Sequence, residues 1–232
     1  MMRYNEDGRS MIEMLGVLAI IGVLTVGGIA GYTKAMSKYR VNKIKDQIST
    51  IVANVRTLYI QQTSYKGLNN KSAIQTDIIP KEMIVENGDG RLIHPFSGQV
   101  YVGSGSIGTS ISKTENDHKA FLIEYTGLPR SACVDLASSD WGSGSSSGLM
   151  GIKVTGYTSP KPTVSTPEFV DDVLDIQFQN NGSSCDGVMV SQGFVIACAG
   201  SNKSKLPIPI AQAAMACNCG STNGCSIVLK YF

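Results

Sequence analysis

The pattern of apolar and polar positions divides the chain into an N-terminal helical part and a C-terminal part made of short segments. Twenty consecutive residues, 14–33, carry no charge, which is about the length that a helix needs to cross a bilayer. A secretory signal or a signal anchor contains a similar run. The run therefore predicts a membrane segment and leaves open whether it is retained.

Helical periodicity continues beyond this apolar run. Apolar residues recur at spacings of three and four and form one stripe on a helix: Ile44, Ile48, Ile51, Val52, Val55, Leu58 and Tyr59. No proline precedes Pro80, so we predict one helix from about Glu13 to Gln62, roughly 75 Å long. Its first half is expected to be apolar on all sides, and its second half to pack under a globular domain.

The remainder of the chain predicts an antiparallel β-rich head, 96–232, preceded by a connecting region, 63–95. Short segments rich in β-branched and aromatic residues are typical of strands, and they occur at 99–102, 120–125, 149–155, 173–178, 188–190, 194–198 and 227–232. Short helical turns are expected at 131–136 and 210–216. The predicted fold class is α+β, a long helix packed on an antiparallel sheet.

Composition narrows the classes of function. The formal net charge is only +2, which gives no indication that the protein binds nucleic acid. We therefore expect no nucleic-acid partner. The six cysteines all lie in the loop-rich half, and an even number there predicts disulfides in an oxidising compartment: Cys133, Cys185, Cys198, Cys217, Cys219 and Cys225. The alternative is a zinc site on Cys217, Cys219 and Cys225, which lacks a convincing fourth ligand in the sequence.

One carboxylate stands inside the apolar run. Glu13 follows two apolar residues, and a carboxylate in a membrane helix costs a few kcal/mol unless it lies at the interface. Gly8 lies five residues earlier, at the junction between the polar start of the chain and the run. A glycine, four residues, a glutamate and then a hydrophobic run resemble the type IV prepilin signal.

This resemblance implies that a prepilin peptidase cuts between Gly8 and Arg9, removes the leader peptide 1–8 and leaves an amine that becomes methylated. It implies a helix over 9–62, membrane-spanning at about 11–33, and an inner-membrane assembly platform as a further partner. Glu13 would pair with the N-terminal amine of a neighbouring subunit and set the register between subunits, because a buried carboxylate needs a cationic partner.

Glycines in the apolar run are expected to be packing positions between helices, since a missing side chain lets two backbones approach closely. They are Gly16, Gly22, Gly27 and Gly31. Each costs up to about 1 kcal/mol of helix propensity.

The head adds a second resemblance. Gly127-Leu-Pro129-Arg-Ser-Ala-Cys133 followed by Trp141 is similar to a stretch of type IVb pilins, including thin-pilus subunits of conjugative plasmids. It implies a disulfide between Cys133 and Cys217 that closes a D-region, 133–217. Proximity in sequence suggests Cys185–Cys198 and Cys219–Cys225 for the others, although six cysteines permit fifteen pairings.

The other motifs in the sequence do not predict a catalytic or ligand-binding site. Gly103-Ser-Gly105-Ser-Ile-Gly108 matches a nucleotide-binding pattern, but no helical pattern follows, so a hairpin turn is expected. Both histidines, His94 and His118, are expected in exposed loops. Asp171, Asp172 and Asp175 lack the regular spacing of a calcium loop. Without a catalytic motif, we expect a non-enzymatic protein without cofactor or metal.

The sequence favours a structural subunit of a type IVb-like pilus. It would be an inner-membrane precursor that polymerises through its N-terminal helix, reaches the periplasm or cell surface as a filament, and serves adhesion, aggregation or conjugative contact. A pseudopilin of a type II secretion system and a membrane-anchored adhesin that does not polymerise are the alternatives. The cysteines favour export of the head. By the positive-inside rule, five basic residues that follow the span favour a cytoplasmic head instead: Lys34, Lys38, Arg40, Lys43 and Lys45.

Overall fold

A computed structural model describes most of the chain. The described residues are 11–86, 90–105, 118–142, 147–156, 189–191, 194–198, 206–219 and 224–232. The strand predicted at 173–178, the turn predicted after Gly105 and the aspartates at 171, 172 and 175 lie outside them.

The long helix of the prediction is present. Helix α1 spans Met11–Tyr59 without interruption, in 49 residues. The chain divides into two compact units, one ending at Tyr39 and the other beginning at Arg40, and α1 contributes to both. In the first unit, the side chains of α1 are exposed from Met11 to Ala35.

In the second unit, one side of α1 enters a hydrophobic core. The predicted stripe is confirmed at Ile44, Ile48, Ile51 and Val55, all of which are buried. Val52 and Tyr59 are partly buried against the same core, and the prediction is wrong at Leu58, which is 47% exposed. Two further residues of α1, Val41 and Gln47, are also buried, although the predicted stripe did not include them.

Seven strands, among the described residues, form one antiparallel sheet in the order β1-β2-β3-β7-β4-β6-β5. Their bounds are Leu92–Ile93 (β1), Gln99–Gly105 (β2), Ala120–Leu128 (β3), Leu149–Gly156 (β4), Met189–Ser191 (β5), Phe194–Cys198 (β6) and Cys225–Tyr231 (β7). The last strand in sequence, β7, lies between β3 and β4. The chain must therefore be complete to its C-terminal residues before the middle of the sheet can form.

Short helices accompany the sheet. They are α2 (Asn70–Gln75), a 3₁₀ turn at Lys81–Met83, α3 (Arg130–Ala137) and α4 (Ile210–Ala216). The two helical turns predicted in the head are confirmed as α3 and α4. Strand β1 was not predicted, because two residues are too few to show an alternating pattern.

The register of the central strands gives the sheet two different faces. On one face, Phe121 of β3 aligns with Tyr231 of β7, and Leu229 of β7 aligns with Ile123 of β3 and Ile152 of β4; these residues belong to the same core cluster as the buried side of α1. The other face carries Glu124, Lys153 and Lys230, and Glu124 and Lys153 both lie opposite Val228. Burial lowers the pKa of Lys153, and the Glu124 carboxylate partly opposes that change.

The prediction that His94 is exposed is wrong. His94 is only 3% exposed, because the β1–β2 turn places its ring against Tyr125. Its Nδ1 accepts a hydrogen bond from the backbone N–H of Phe96, and its Nε2 lies 2.7 Å from the carbonyl oxygen of Thr126. The ring is therefore neutral with the proton on Nε2. His118, also predicted to be exposed, is half-buried, with Nδ1 3.0 Å from Oγ of Ser104.

We predict that this neutral histidine makes stability depend on pH. Burial lowers the pKa of His94, with a partial offset from its bond to Thr126. Folding therefore favours the neutral form. The contribution of His94 to the free energy of unfolding is complete above about pH 6.5 and is lost as the pH falls below that value. Denaturant unfolding of the full chain in detergent, followed through Trp141 fluorescence between about pH 5 and 7.5, would measure the loss.

The matched pair of variants is His94→Gln and His118→Gln. His94→Gln is expected to flatten the pH profile, and it should also lower stability at neutral pH because it removes the buried ring. An unchanged profile in His94→Gln would show that other groups titrate.

Candidate functional site

The first candidate surface is the N-terminal part of α1. Among the described residues one helix has the length and composition to cross a membrane, and this is α1, whose most apolar window has a mean hydropathy of 2.2 and is entirely unburied. Large apolar side chains from Met11 to Tyr32 are between 52% and 85% exposed. Soluble monomers rarely expose a contiguous apolar surface of this size, so this surface requires lipid or other apolar helices.

Glu13 lies in the first turn of α1 and its side chain is exposed. The N-terminal end of a helix dipole favours a negative charge at this position. Gly8 and Arg9 lie outside the described residues. The cleavage position and the role of Glu13 in assembly therefore remain predictions.

The four glycines of the apolar run lie on open helix surface. A Cβ atom built on Gly16, Gly22, Gly27 or Gly31 would meet no atom of the chain within 4 Å. Nothing within the described chain therefore requires glycine there, and a role in packing against a second helix stays a prediction.

The second candidate site is the cysteine region of the head. Cys133 and Cys217, the pair that the sequence resemblance implied, form a disulfide with their Cα atoms 5.9 Å apart and 84 residues apart in sequence. Cys219 and Cys225 form another, with Cα atoms 5.0 Å apart. Cys185 and the side chain of Cys198 lie outside the described residues, so their pairing remains a prediction.

Local backbone structure explains the motif around Cys133. Gly127 has a φ of +73°, a left-handed conformation that glycine adopts most easily, and it closely approaches Gly224 just before β7. Pro129 then precedes α3, where its fixed φ suits a helix start. Trp141 Nε1 donates to the carbonyl oxygen of Leu136 at 2.9 Å. The motif thus fixes both ends of the helix that carries Cys133.

The partners of Cys133 are held by other elements. Cys217 directly follows α4, and its N–H donates to the carbonyl oxygen of Ala213 at 2.8 Å. Cys225 opens β7, opposite Leu128 of β3 and Gly156 of β4. Three sulfurs converge here, since the Sγ atoms of Cys133, Cys217 and Cys225 all lie within 4.8 Å of one another. The sequence missed this convergence because it depends on where β7 enters the sheet.

Comparison with known proteins identifies relatives. A family model described as Bundlin matches residues 34–173, which is more than half of the chain. A protein of Escherichia coli O127:H6 (strain E2348/69 / EPEC), named major structural subunit of bundle-forming pilus, is 28% identical over 151 residues, 65% of this chain and 72% of the relative. A protein of the same name from Escherichia coli O111:H- is 28% identical over 137 residues, 59% of this chain and 66% of the relative.

Two solved structures are also similar. A type IV b pilin from Salmonella typhi superposes with a TM-score of 0.42 at 17% identity, covering 78% of this chain and 93% of that one. TcpA, a type IV pilin from Vibrio cholerae El Tor biotype, superposes with a TM-score of 0.48 at 15% identity, covering 84% and 99%. The family assignment rests on the family model and not on these superpositions.

The chain has a long N-terminal helix that is apolar in its first half and packs in its second half against an antiparallel sheet, and a disulfide closes its C-terminal region. These features define a protein of the type IV pilin class. Within that class, the chain belongs to the bundlin family. The resemblance to type IV pilins stated from the sequence is confirmed, and family membership favours a structural role over an enzymatic one. The family match includes Cys133 and Trp141 and excludes Glu13 and Cys217.

We predict that the two described disulfides contribute unequally to stability. In the chain-entropy model, a bridge spanning 84 residues stabilises by about 4 kcal/mol and one spanning 6 residues by about 2 kcal/mol. The Cys133→Ser/Cys217→Ser variant should therefore lose about twice the free energy of unfolding that the Cys219→Ser/Cys225→Ser variant loses. Denaturant unfolding of both variants, without reductant, would measure the difference, and equal losses would contradict it.

Proposed function

We propose that this chain is a structural subunit of a type IV pilus, made as an inner-membrane precursor and assembled into a helical filament through α1. The exposed apolar surface of α1 is the observation that carries the proposal. Membership of the bundlin family supports it, as do relatives named major structural subunits of bundle-forming pilus. Those names favour a pilus over a secretion pseudopilin or an adhesin that stays monomeric.

Assembly would move α1 from lipid to a bundle of identical helices. Both environments are apolar, so the hydrophobic effect keeps α1 out of water without choosing between them. The preference for the filament would come from close helix packing and from polar pairing. Gly27 and Gly31, four residues apart on one helix face and open to a neighbour, are the packing positions that we propose.

Glu13 would provide the polar pairing. A carboxylate in an apolar bundle is costly unless a cation neutralises it. Cleavage between Gly8 and Arg9 would create an amine four residues before Glu13, and the amine of a neighbouring subunit would then be available as its partner. Because the pair forms at only one axial offset between subunits, Glu13 would set the register.

The remaining partners follow from this route. A prepilin peptidase would cut the leader, a methyltransferase activity would modify the new amine, and an inner-membrane assembly platform would move subunits from the bilayer to the filament. The head would form the filament surface and provide adhesion, aggregation or conjugative contact.

We predict that the native protein begins at Arg9. Removal of residues 1–8 would leave 224 of the 232 residues. Intact-mass and N-terminal peptide analysis of the protein purified from a piliated strain would report both cleavage and N-methylation. Gly8→Val should retain the leader, whereas Asp7→Ala at the neighbouring position should not. A native chain that still begins at Met1 would overturn the proposed route.

Replacing Glu13 should block assembly and leave the head folded. Glu13→Ala would leave the neighbour's amine unpaired in an apolar bundle, a loss of about 3 kcal/mol or more, so we expect at least a tenfold decrease in filaments counted by electron microscopy. Asp46→Ala, at another exposed acid of α1, is the matched control and should assemble normally. Normal filament numbers in Glu13→Ala would reject the proposed pairing.

A further inference from the structure

We propose that neighbouring subunits also bind each other through their heads, with the outer face of α4 on one subunit packed against a groove at the end of α1 on the next. This contact rests on the proposed function, because its partner is a second copy of the chain in a filament. Both surfaces belong to the unit that begins at Arg40, so the contact is distinct from packing of the apolar part of α1.

The outer face of α4 is entirely apolar. Ala213 and Ala216 form the buried side of this helix. The opposite side carries four residues: Ile210, Ala211, Ala214 and Met215. Ile210 is 69% exposed and Met215 is 54% exposed. A helix that borders water normally has polar residues on its outer side, so we expect another apolar surface to cover this one.

The groove lies where α1 ends. It is open to solvent and has a volume of about 440 Å³. Leu58 and Ile60 line it with apolar side chains that are 47% and 80% exposed, and most of its other side chains end in hydroxyl or amide groups. Among the described lining residues only Asp77 is charged. Depletion of charged residues is typical of the centre of a protein interface.

These two surfaces contain most of the large exposed apolar side chains of the head. From Arg40 onward, six such residues occur in the described part of the chain: Leu58, Ile60, Ile93, Ile210, Met215 and Phe232. Four of the six lie in the two surfaces. Single exposed apolar residues need no explanation, whereas a concentration of them in patches marks a contact site.

Opposite charges lie at the two surfaces. Arg130, the first residue of α3, is exposed, and its Nη2 donates to the carbonyl oxygen of Ala214 at 3.5 Å. This bond places the guanidinium at the edge of the outer face of α4. Asp77 is exposed in the groove. Complementary charges favour one orientation of two partners, so Arg130 and the neighbour's Asp77 would orient the contact.

The sheet separates the two surfaces within one subunit. Helix α2, which directly precedes the groove residues 76–78, contacts β2, whereas α4 contacts β4, β5 and β6. These strands lie toward opposite ends of the strand order. Each subunit therefore presents a different surface to each of two neighbours. A contact between two different surfaces repeats from subunit to subunit and gives a helical filament when the rotation does not close a ring.

Photocrosslinking in native filaments tests which surfaces meet. The photoreactive residue p-benzoylphenylalanine replaces Met215, the filaments are irradiated, and the crosslinked dimer is isolated in SDS and digested for mass spectrometry. We expect joined peptides from 57–62 or 76–78, the groove residues, and no dimer when filaments are dissociated in detergent before irradiation. The same replacement at Ile93, another exposed apolar residue, is the matched control and should not join to the groove. A dimer joined elsewhere, including α4 to α4, or no dimer from filaments, would overturn the proposal.

A charge reversal tests the orientation without a crosslink. Arg130→Glu would place a carboxylate beside the neighbour's Asp77, and we expect at least about a tenfold decrease in filaments counted by electron microscopy. Adding Asp77→Asn should restore part of that loss, because it removes the repulsion. Arg130→Glu/Glu86→Gln, which neutralises a different exposed acid, is the matched control and should not recover.

The head is expected to fold in these variants. A glutamate is favourable in the first turn of a helix, and asparagine tolerates the left-handed backbone at Asp77, whose φ is +54°. Denaturant unfolding of each variant checks this. Absence of filaments in the parent strain would count against the proposed function. Normal filament numbers in Arg130→Glu, or no recovery in Arg130→Glu/Asp77→Asn, would exclude this contact alone.

Discussion

The uncovered apolar surface of α1 is the constraint on which the rest of this protein depends. From Met11 to Ile29, its large apolar side chains are all more than half exposed, and each would cost about 1.5–3 kcal/mol if it were left in water instead of being buried. The helix therefore needs an apolar environment, and lipid and neighbouring apolar helices are the two that the proposed assembly provides. Since these environments are equally apolar, we propose that the carboxylate of Glu13 is the group that distinguishes them.

The same helix meets a different constraint from Arg40 onward, where it becomes part of a closed core. One stripe faces the sheet through Ile44, Ile48, Ile51 and Val55, while Lys43 pairs with Glu82 at 2.7 Å on the surface. The first part of α1 is apolar on all sides and the second part has one apolar stripe. This difference is sufficient for one uninterrupted helix to expose an apolar surface in one unit and pack in the core of the other. No proline or other break is needed between them, because backbone hydrogen bonding is the same in both environments.

Features that depend on local pattern were predictable from the sequence, and features that depend on tertiary contacts were not. Periodicity predicted α1, and segments rich in β-branched and aromatic residues predicted the strands that pair in the middle of the sheet. Burial of His94 was missed, because it results from the β1–β2 turn, which places the His94 ring against Tyr125 of a strand distant in sequence. The placement of buried Glu124 on the same face as half-buried Lys153 was missed in the same way, since their strands meet only through β7. Pairing of Cys133 with Cys217 came from a family resemblance, whereas the approach of Cys225 to both required the fold.

Of the two described disulfides, Cys133–Cys217 depends on the folded head and Cys219–Cys225 is local in sequence. Cys219 and Cys225 are 6 residues apart in sequence, whereas Cys217 reaches Cys133 only when α4 packs beside α3, which also contacts β7. These contacts join residues far apart in sequence, so they form late in folding. A bridge that closes at that stage stabilises the native state mainly by restricting the unfolded chain. Closure of the Cys133–Cys217 bridge therefore follows packing of the head, and subunits with this bridge are those in which α4 already lies beside α3.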